Sequence, residues 1–141
     1  MDDFTLPAPP ISRFDGHSPG QSDLASAYRV GFDLLSRRAP EEALEVLEPA
    51  LEQDPSNTGL RMLRAWAYLI RVQLGPAESE LRSLVEEHPD DDWLRFALGR
   101  ALERQSKYAE ALPHLRLAAA MSADPEHELA VLRVERLSGA L

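Results

Sequence analysis

Displaced by 34 residues, the chain lines up with itself in six columns. Gly31, Ala65 and Gly99 form a column of small residues, and Leu34, Tyr68 and Leu102 a large apolar column three residues later. Ala43, Ala77 and Ala111 make a second small column, followed by Leu47, Leu81 and Leu115 and then by Ala50, Leu84 and Ala118. Pro55 and Pro89 close the first two units, while the third has Ala123 in that column and Pro125 two residues late. A period of this length fixes the architecture before any single motif does, because each repeat is one supersecondary unit that buries its apolar face on its neighbours.

Each unit reads as two antiparallel helices. A small residue of the first helix facing a small one of the second lets the backbones approach, and the large residue one turn on fills the space beside that contact. Proline beyond the second helix ends it by removing a donor and forcing the preceding residue out of the helical region. Local punctuation places the first hairpin at about 23–38 and 40–53, with Ser22 or Asp23 as cap and Pro40-Glu41-Glu42 opening the second helix. The second hairpin spans about 57–74 and 76–88, with Ser56 or Asn57 as cap and Gly75 as the break; the third spans about 91–106 and 108–122. A seventh helix opens with Asp124-Pro125-Glu126 and continues to about Leu137. Its apolar stripe of Leu129, Val131 and Leu132 is expected to cover the end of the stack, with Glu126, Glu128, Arg133, Glu135 and Arg136 on the wet side, as a solubilising cap.

These columns resemble the tetratricopeptide repeat family, whose units are 34 residues long and carry the same order of small, large, small, large, small and proline. The resemblance covers about residues 24–125 as three repeats, at about 24–57, 58–91 and 92–125, with a capping helix at about 125–138. It implies an all-α fold, an α-solenoid of helical hairpins with about seven helices, and a concave groove lined by the first helix of each unit, where extended or helical peptides bind. Residues 1–20, before the repeat domain at 21–141, differ in kind, holding four of the eleven prolines and two of the seven glycines. They form a Pro-rich tail in which Phe4, Leu6, Ile11 and Phe14 are spaced like a ligand for an apolar groove. Three readings of the tail stand open: a disordered linker, a segment packed on its own domain, and a strand exchanged with another copy.

Chemistry is scarce along the chain. With no cysteine, disulfides, Cys-rich zinc sites and thiol nucleophiles are excluded, and imidazole chemistry rests on His17, His88, His114 and His127. No glycine-rich phosphate loop, nucleophile elbow or i, i+4 histidine pair is present. His127 lies between Glu126 and Glu128 in a first helical turn, where successive side chains diverge by about 100° and do not converge on one ion. The run Glu86-Glu87-His88-Pro89-Asp90-Asp91-Asp92 fits a helix start, whose free amides and dipole favour carboxylates, and lacks the alternation and glycine turn of a calcium loop. The expectation is no enzyme, no metal and no cofactor. Twenty-four acidic residues against fifteen basic ones give a net charge of -9, a field that repels phosphate backbones and anionic headgroups, so neither nucleic acid nor membrane is the expected partner. No apolar run approaches the ~20 residues of a membrane span, and Met1-Asp2-Asp3-Phe4 is acidic where a secretion signal is basic, which together predict a cytoplasmic location. Lys107 is the one lysine among the basic residues, a bias that suggests GC-rich coding and a bacterial source.

Applied to the groove side that the resemblance implies, the columns set Tyr28, Met62 and Phe96 in one row and Phe32, Trp66 and Arg100 in the next. Leu35, Leu69 and Glu103 make a third, and Trp93 stands one turn before Phe96 and Ala97. Family members that grip chaperone carboxylates do so with Lys, Arg and Asn on these rows, whereas most positions here are aromatic or aliphatic. An apolar ligand is expected instead, held by aromatic anchors, with Arg100 and Arg104 fixing an acidic residue at one end. Each aromatic at helical spacing also has a plain core reading. In the second unit Arg64 and Arg61 fall where a core leucine is expected, which suggests a third helix rotated so that Leu63, Ala67 and Ile70 face inward and Met62, Trp66 and Leu69 are redistributed between groove and core. The functional expectation is a non-catalytic interaction module, an adaptor or small chaperone binding an apolar or amphipathic peptide of another protein. The alternative is a self-assembling structural subunit, such as a homodimer, whose apolar surface is closed by another copy.

Overall fold

The computed structural model describes Leu6, Ala8, Pro9 and residues 22–139; His17 and the tail positions Phe4, Ile11 and Phe14 lie outside the described residues. Among the described residues there are seven α-helices and no strand: α1 (Ser22–Ser36), α2 (Pro40–Gln53), α3 (Thr58–Ile70), α4 (Leu74–Glu87), α5 (Asp92–Arg104), α6 (Tyr108–Met121) and α7 (Pro125–Ser138). They fall into two compact units, Met1–Gln73 with α1 to α3 and Leu74–Leu141 with α4 to α7.

The starts of α3, α5 and α7 follow the side-chain capping rule, whereas α2 and α6 begin after Ala39 and Lys107 without a side-chain cap. The Leu60 amide donates to Asn57 Oδ1 at 3.0 Å, the Leu94 amide to Asp91 Oδ1 at 3.0 Å and the Glu126 amide to Asp124 Oδ1 at 3.0 Å. Each cap supplies an acceptor that the first turn lacks. Helix ends follow a rule the sequence does not advertise. Arg38, Val72 and Ser106 have φ of 59°, 58° and 61°, the left-handed region, and they are spaced by the repeat length. Their amides and those of the next residues turn back on the preceding helix: Arg38 N–H to the Leu35 carbonyl at 2.9 Å and Ala39 N–H to Leu34 at 2.8 Å, with the same pair from Val72 and Gln73 and from Ser106 and Lys107. Left-handed residues of this kind satisfy the orphan carbonyls of a helix C-terminus, usually with glycine. Here Gly75 is not the break. It lies inside the first turn of α4, where Pro76 is also tolerated, and α3 stops at Ile70 because Val72 makes the turn.

The small columns receive leucines. A Cβ on Gly31 would meet Leu47 Cδ2 of α2 at 2.8 Å, and one on Gly99 would meet Leu115 Cδ2 and Cγ of α6 at 2.5 and 2.7 Å. The second-helix leucine thus seats against bare backbone of the first helix, closer than the small-on-small contact read from the sequence. Arg64 of α3 reaches Glu48 of α2 at 3.5 Å and remains half-buried. The rest of α3 has no one inward face, since Met62, Leu63, Trp66, Ala67 and Leu69 are all buried and Ile70 is half-buried.

The last helix turns the other way from the sequence expectation. Its buried face is His127, Ala130 and Val134, whereas Leu129 and Leu132 are 53% and 49% exposed. The buried spacing of i, i+3, i+7 is helical, and the small Ala130 permits a close approach that a leucine at the same place would prevent.

Two stability outcomes follow. A β-branched residue at positive φ carries about 1–2 kcal/mol of strain, and glycine relieves it at a cost of about 0.5–1 kcal/mol in unfolded-chain entropy. Val72→Gly, whose side chain is more than half exposed, is therefore expected to raise stability by about 0.5–1 kcal/mol in urea unfolding, more than Arg38→Gly or Ser106→Gly. Gly99→Ala is expected to lose about 1–2 kcal/mol in the same assay, because overpacking against Leu115 outweighs the roughly 1 kcal/mol that alanine gains in a helix.

Candidate functional site

In the first unit, α1 sets Tyr28 and Phe32 one turn apart, their ring centroids 6.3 Å apart and stacked. Phe32 meets Trp66 of α3 edge-on at 5.7 Å and 60°. The three rings form one strip across α1 and α3, with Tyr28 and Trp66 buried and Phe32 half-buried at its edge. Leu35, Met62 and Leu69, expected in the groove lining, are at most 1% exposed. Residues so enclosed are core; Met62 and Leu69 belong to α3, which is buried over most of its circumference.

In the second unit Trp93, Phe96 and Arg100 are buried and Arg104 is half-buried. The helix covering this face of α5 is α7. The His127 ring lies 4.3 Å from that of Phe96, and His127 Nδ1 is 3.1 Å from the Ala118 carbonyl of α6, the distance of an Nδ1–H donating to it. Arg100 does not point out to meet a ligand; its Nη1 donates to Glu103, one turn on. Glu103 also accepts from Arg133 of α7, through Nε and, at 2.9 Å, Nη2. Burial alone would raise the Glu103 pKa, but the hydrogen bonds and charges of Arg133 and Arg100 outweigh it and hold the carboxyl below its ordinary value. A charge in an otherwise apolar column, Glu103 beneath Leu35 and Leu69, is the signal that marks such a triad in the sequence.

A second carboxylate is held more openly. Glu78 of α4 accepts from Arg82 Nε at 2.8 Å, from Gln105 Nε2 at 2.8 Å and from Lys107 Nζ at 3.0 Å. Burial would raise its pKa, yet these donors together lower it to about 2. Arg95 Nη1 lies 3.1 Å from Nδ1 of the half-buried His114, whose pKa is lowered by burial and by the charges of Arg95 and Arg82. Glu103 and Glu78 are each satisfied by cationic donors, the pattern of structural clamps. Among the described residues no three His, Cys, Asp or Glu side chains come together as a metal site, and no helix is long and apolar enough to cross a membrane.

A family model described as tetratricopeptide repeat matches residues 34–94. Over that span the chain is similar to tetratricopeptide repeats. No curated protein matches it in sequence. Solved structures show the fold: the first tetratricopeptide domain of human RPAP3 superposes with a TM-score of 0.77 at 18% identity, over 86% of this chain and 96% of that one. MamA AMB-1 gives 0.71 at 21% identity over 82% and 69%, and PcrH, in complex with the chaperone binding region of PopB, gives 0.67 at 13% over 85% and 98%. The fold is the α-solenoid of helical hairpins, and tetratricopeptide repeats are a protein-interaction scaffold.

The triad has a pH signature. Glu103 and Glu78 titrate lower in the folded repeat protein than in the unfolded chain, so their stabilisation is complete above the unfolded value of 4.5 and drains as pH falls, for Glu78 toward about 2. Glu103→Gln leaves two arginines without their shared anion and is expected to cost about 3–5 kcal/mol at pH 7. Thermal unfolding at a series of pH values should show the gap between native protein and variant narrowing below about pH 4. A gap constant across that range would place the Glu103 carboxylate outside the acid transition.

Proposed function

We propose that the chain is a non-catalytic interaction module, a cytoplasmic bacterial adaptor or small chaperone that holds an apolar or amphipathic peptide segment of a partner protein. The observation that carries this reading is the aromatic strip of Tyr28, Phe32 and Trp66, continuous over α1 and α3 and reaching the surface at Phe32. Aromatic rings bury large area at small entropic cost and so dominate peptide binding where they occur. Leu35, Met62 and Leu69 stiffen the strip from behind. In the second unit Trp93, Phe96 and Arg100 are packed inside that unit and Arg104 is half-buried. The structure of PcrH with its PopB region supports a peptide-binding mode for a chain of this fold. The charge of -9 favours a protein partner over nucleic acid or an anionic membrane.

The tail supports the same reading from the ligand's side. Pro9 is buried and Leu6 half-buried, in a stretch without regular structure. On this reading the tail, with Phe4, Leu6, Ile11 and Phe14 spaced like a ligand for an apolar groove, is a segment that the strip can hold.

A synthetic peptide of residues 1–20, titrated calorimetrically into chain 21–141, is expected to bind saturably. Phe32→Ala is expected to weaken binding at least about tenfold, or roughly 1.4 kcal/mol. A peptide that binds the variant as well as the parent would remove the strip from the recognition surface.

A further inference from the structure

Seven large apolar residues are exposed among the described residues, and three of them, Leu129, Leu132 and Leu137, belong to the fourteen-residue helix α7. Wound at 100° per residue, the helix has its buried residues His127, Ala130 and Val134 on one side and Glu128, Leu129, Leu132 and Arg136 on the side directly opposite. The outer ridge therefore reads acid, leucine, leucine, base. Nothing in the fold of the second unit requires leucines there, because α7 is already anchored by its other face through His127 and by Arg133 on Glu103.

Beside the ridge runs a shallow groove of about 270 Å³ between α6 and α7, lined by Arg116, Ala119, Glu128, Val131, Leu132 and Glu135. Its floor is apolar, and Arg116 Nη2 meets Glu135 Oε1 at 3.0 Å across it, joining α6 to α7. Neither Glu128 nor Arg136 has an ion-pair partner among the described residues. An exposed leucine ridge continuous with a groove is the kind of surface that marks association.

From this arrangement we infer that α7 is the interface of a reversible homodimer, in which the α7 helices of two copies pack antiparallel about a twofold axis at Leu132. Antiparallel pairing about that point sets residues four before Leu132 opposite residues four after it. Glu128 of each copy then faces Arg136 of the other, twice, and the two Leu132 side chains meet on the axis. Leu129 of each copy lies beside Leu132 on the side of the seam away from the groove, so that the apolar contact runs from Leu129 of one copy through the two Leu132 side chains to Leu129 of the other. The ridge is thus complementary to itself, which is what an isologous contact requires of one surface. A partner helix of some other protein would have to present the same alternation, whereas a second copy presents it by necessity. This surface is separate from the aromatic strip of α1 and α3, and its test does not depend on peptide binding.

A fourteen-residue helix is about 21 Å long, and two such faces bury an area at the low end of specific interfaces, so the dimer dissociates on dilution. Sedimentation of the full chain is expected to show a weight-average mass rising from one chain toward two between about 1 μM and about 500 μM. Leu132→Arg sets like charges on the axis and is expected to weaken the dimer more than about tenfold, with circular dichroism and melting unchanged because the side chain is exposed. Glu128→Arg and Arg136→Glu are each expected to weaken it several-fold at low salt, and the double variant to restore the parent association. Rescue by the double variant distinguishes this pairing from any other use of the leucines. A chain that stays monomeric throughout, a dimer indifferent to Leu132→Arg, or a double variant no better than the single ones overturns the inference.

Discussion

Two contacts hold the hairpins closed, Leu47 against Gly31 and Leu115 against Gly99. In each, a leucine of one helix lies where a methyl group on the other would overlap it, so the interhelical distance is set by the absence of a side chain. The left-handed residue that ends the first helix then turns the chain so that the second helix runs back along it. Arg38 does this between α1 and α2, and Ser106 between α5 and α6. Spacing, closeness and turn are one device, and in the first and third hairpins they recur together at twice the repeat length.

That device was legible in unequal parts. Small and large columns, and the caps Asn57, Asp91 and Asp124, stand in the sequence because they depend on residue type. The left-handed turns do not, because arginine, valine and serine carry no mark of positive φ, and glycine's preference for that region pointed instead to Gly75. The facing of α7 was hidden for a related reason. Its leucines suggest the inward side by hydrophobicity, but the inward side went to alanine, valine and a histidine bonded to the Ala118 carbonyl, where size and hydrogen bonding decide. Periodicity locates an apolar stripe; on a helix with two stripes it does not say which one is covered.

The candidate site shows the same division. The rows Tyr28, Met62, Phe96 and Phe32, Trp66, Arg100 were found by period, and Tyr28, Phe32 and Trp66 do come together as rings. Their depth was not legible, since a helix that is apolar over an arc and one that is apolar all round share the same spaced positions. Arg100 and Glu103 were ambiguous between ligand contacts and an internal pair. What resolves them is Arg133, which lies thirty residues from Glu103 and belongs to a helix outside the three repeats. A charge inside an apolar column is more economically read as half of a pair, because leaving it alone in the interior costs several kcal/mol.

Burial of the rings also limits how a peptide can bind. A half-exposed Phe32 offers an edge, and deeper contact with Tyr28 or Trp66 requires that whatever now covers them be moved. Under the proposed peptide-binding reading, access to the buried rings is a conformational step, and the apparent affinity falls by the fraction of molecules in which the strip is uncovered. If that fraction is on the order of 1%, a segment with nanomolar intrinsic affinity binds at about 100 nM, and a weak one does not bind measurably. A mechanism of this kind favours ligands that match the strip closely over those that are merely apolar. For a module that works in this way, selectivity comes from the cost of uncovering the rings, which only a closely matching segment repays.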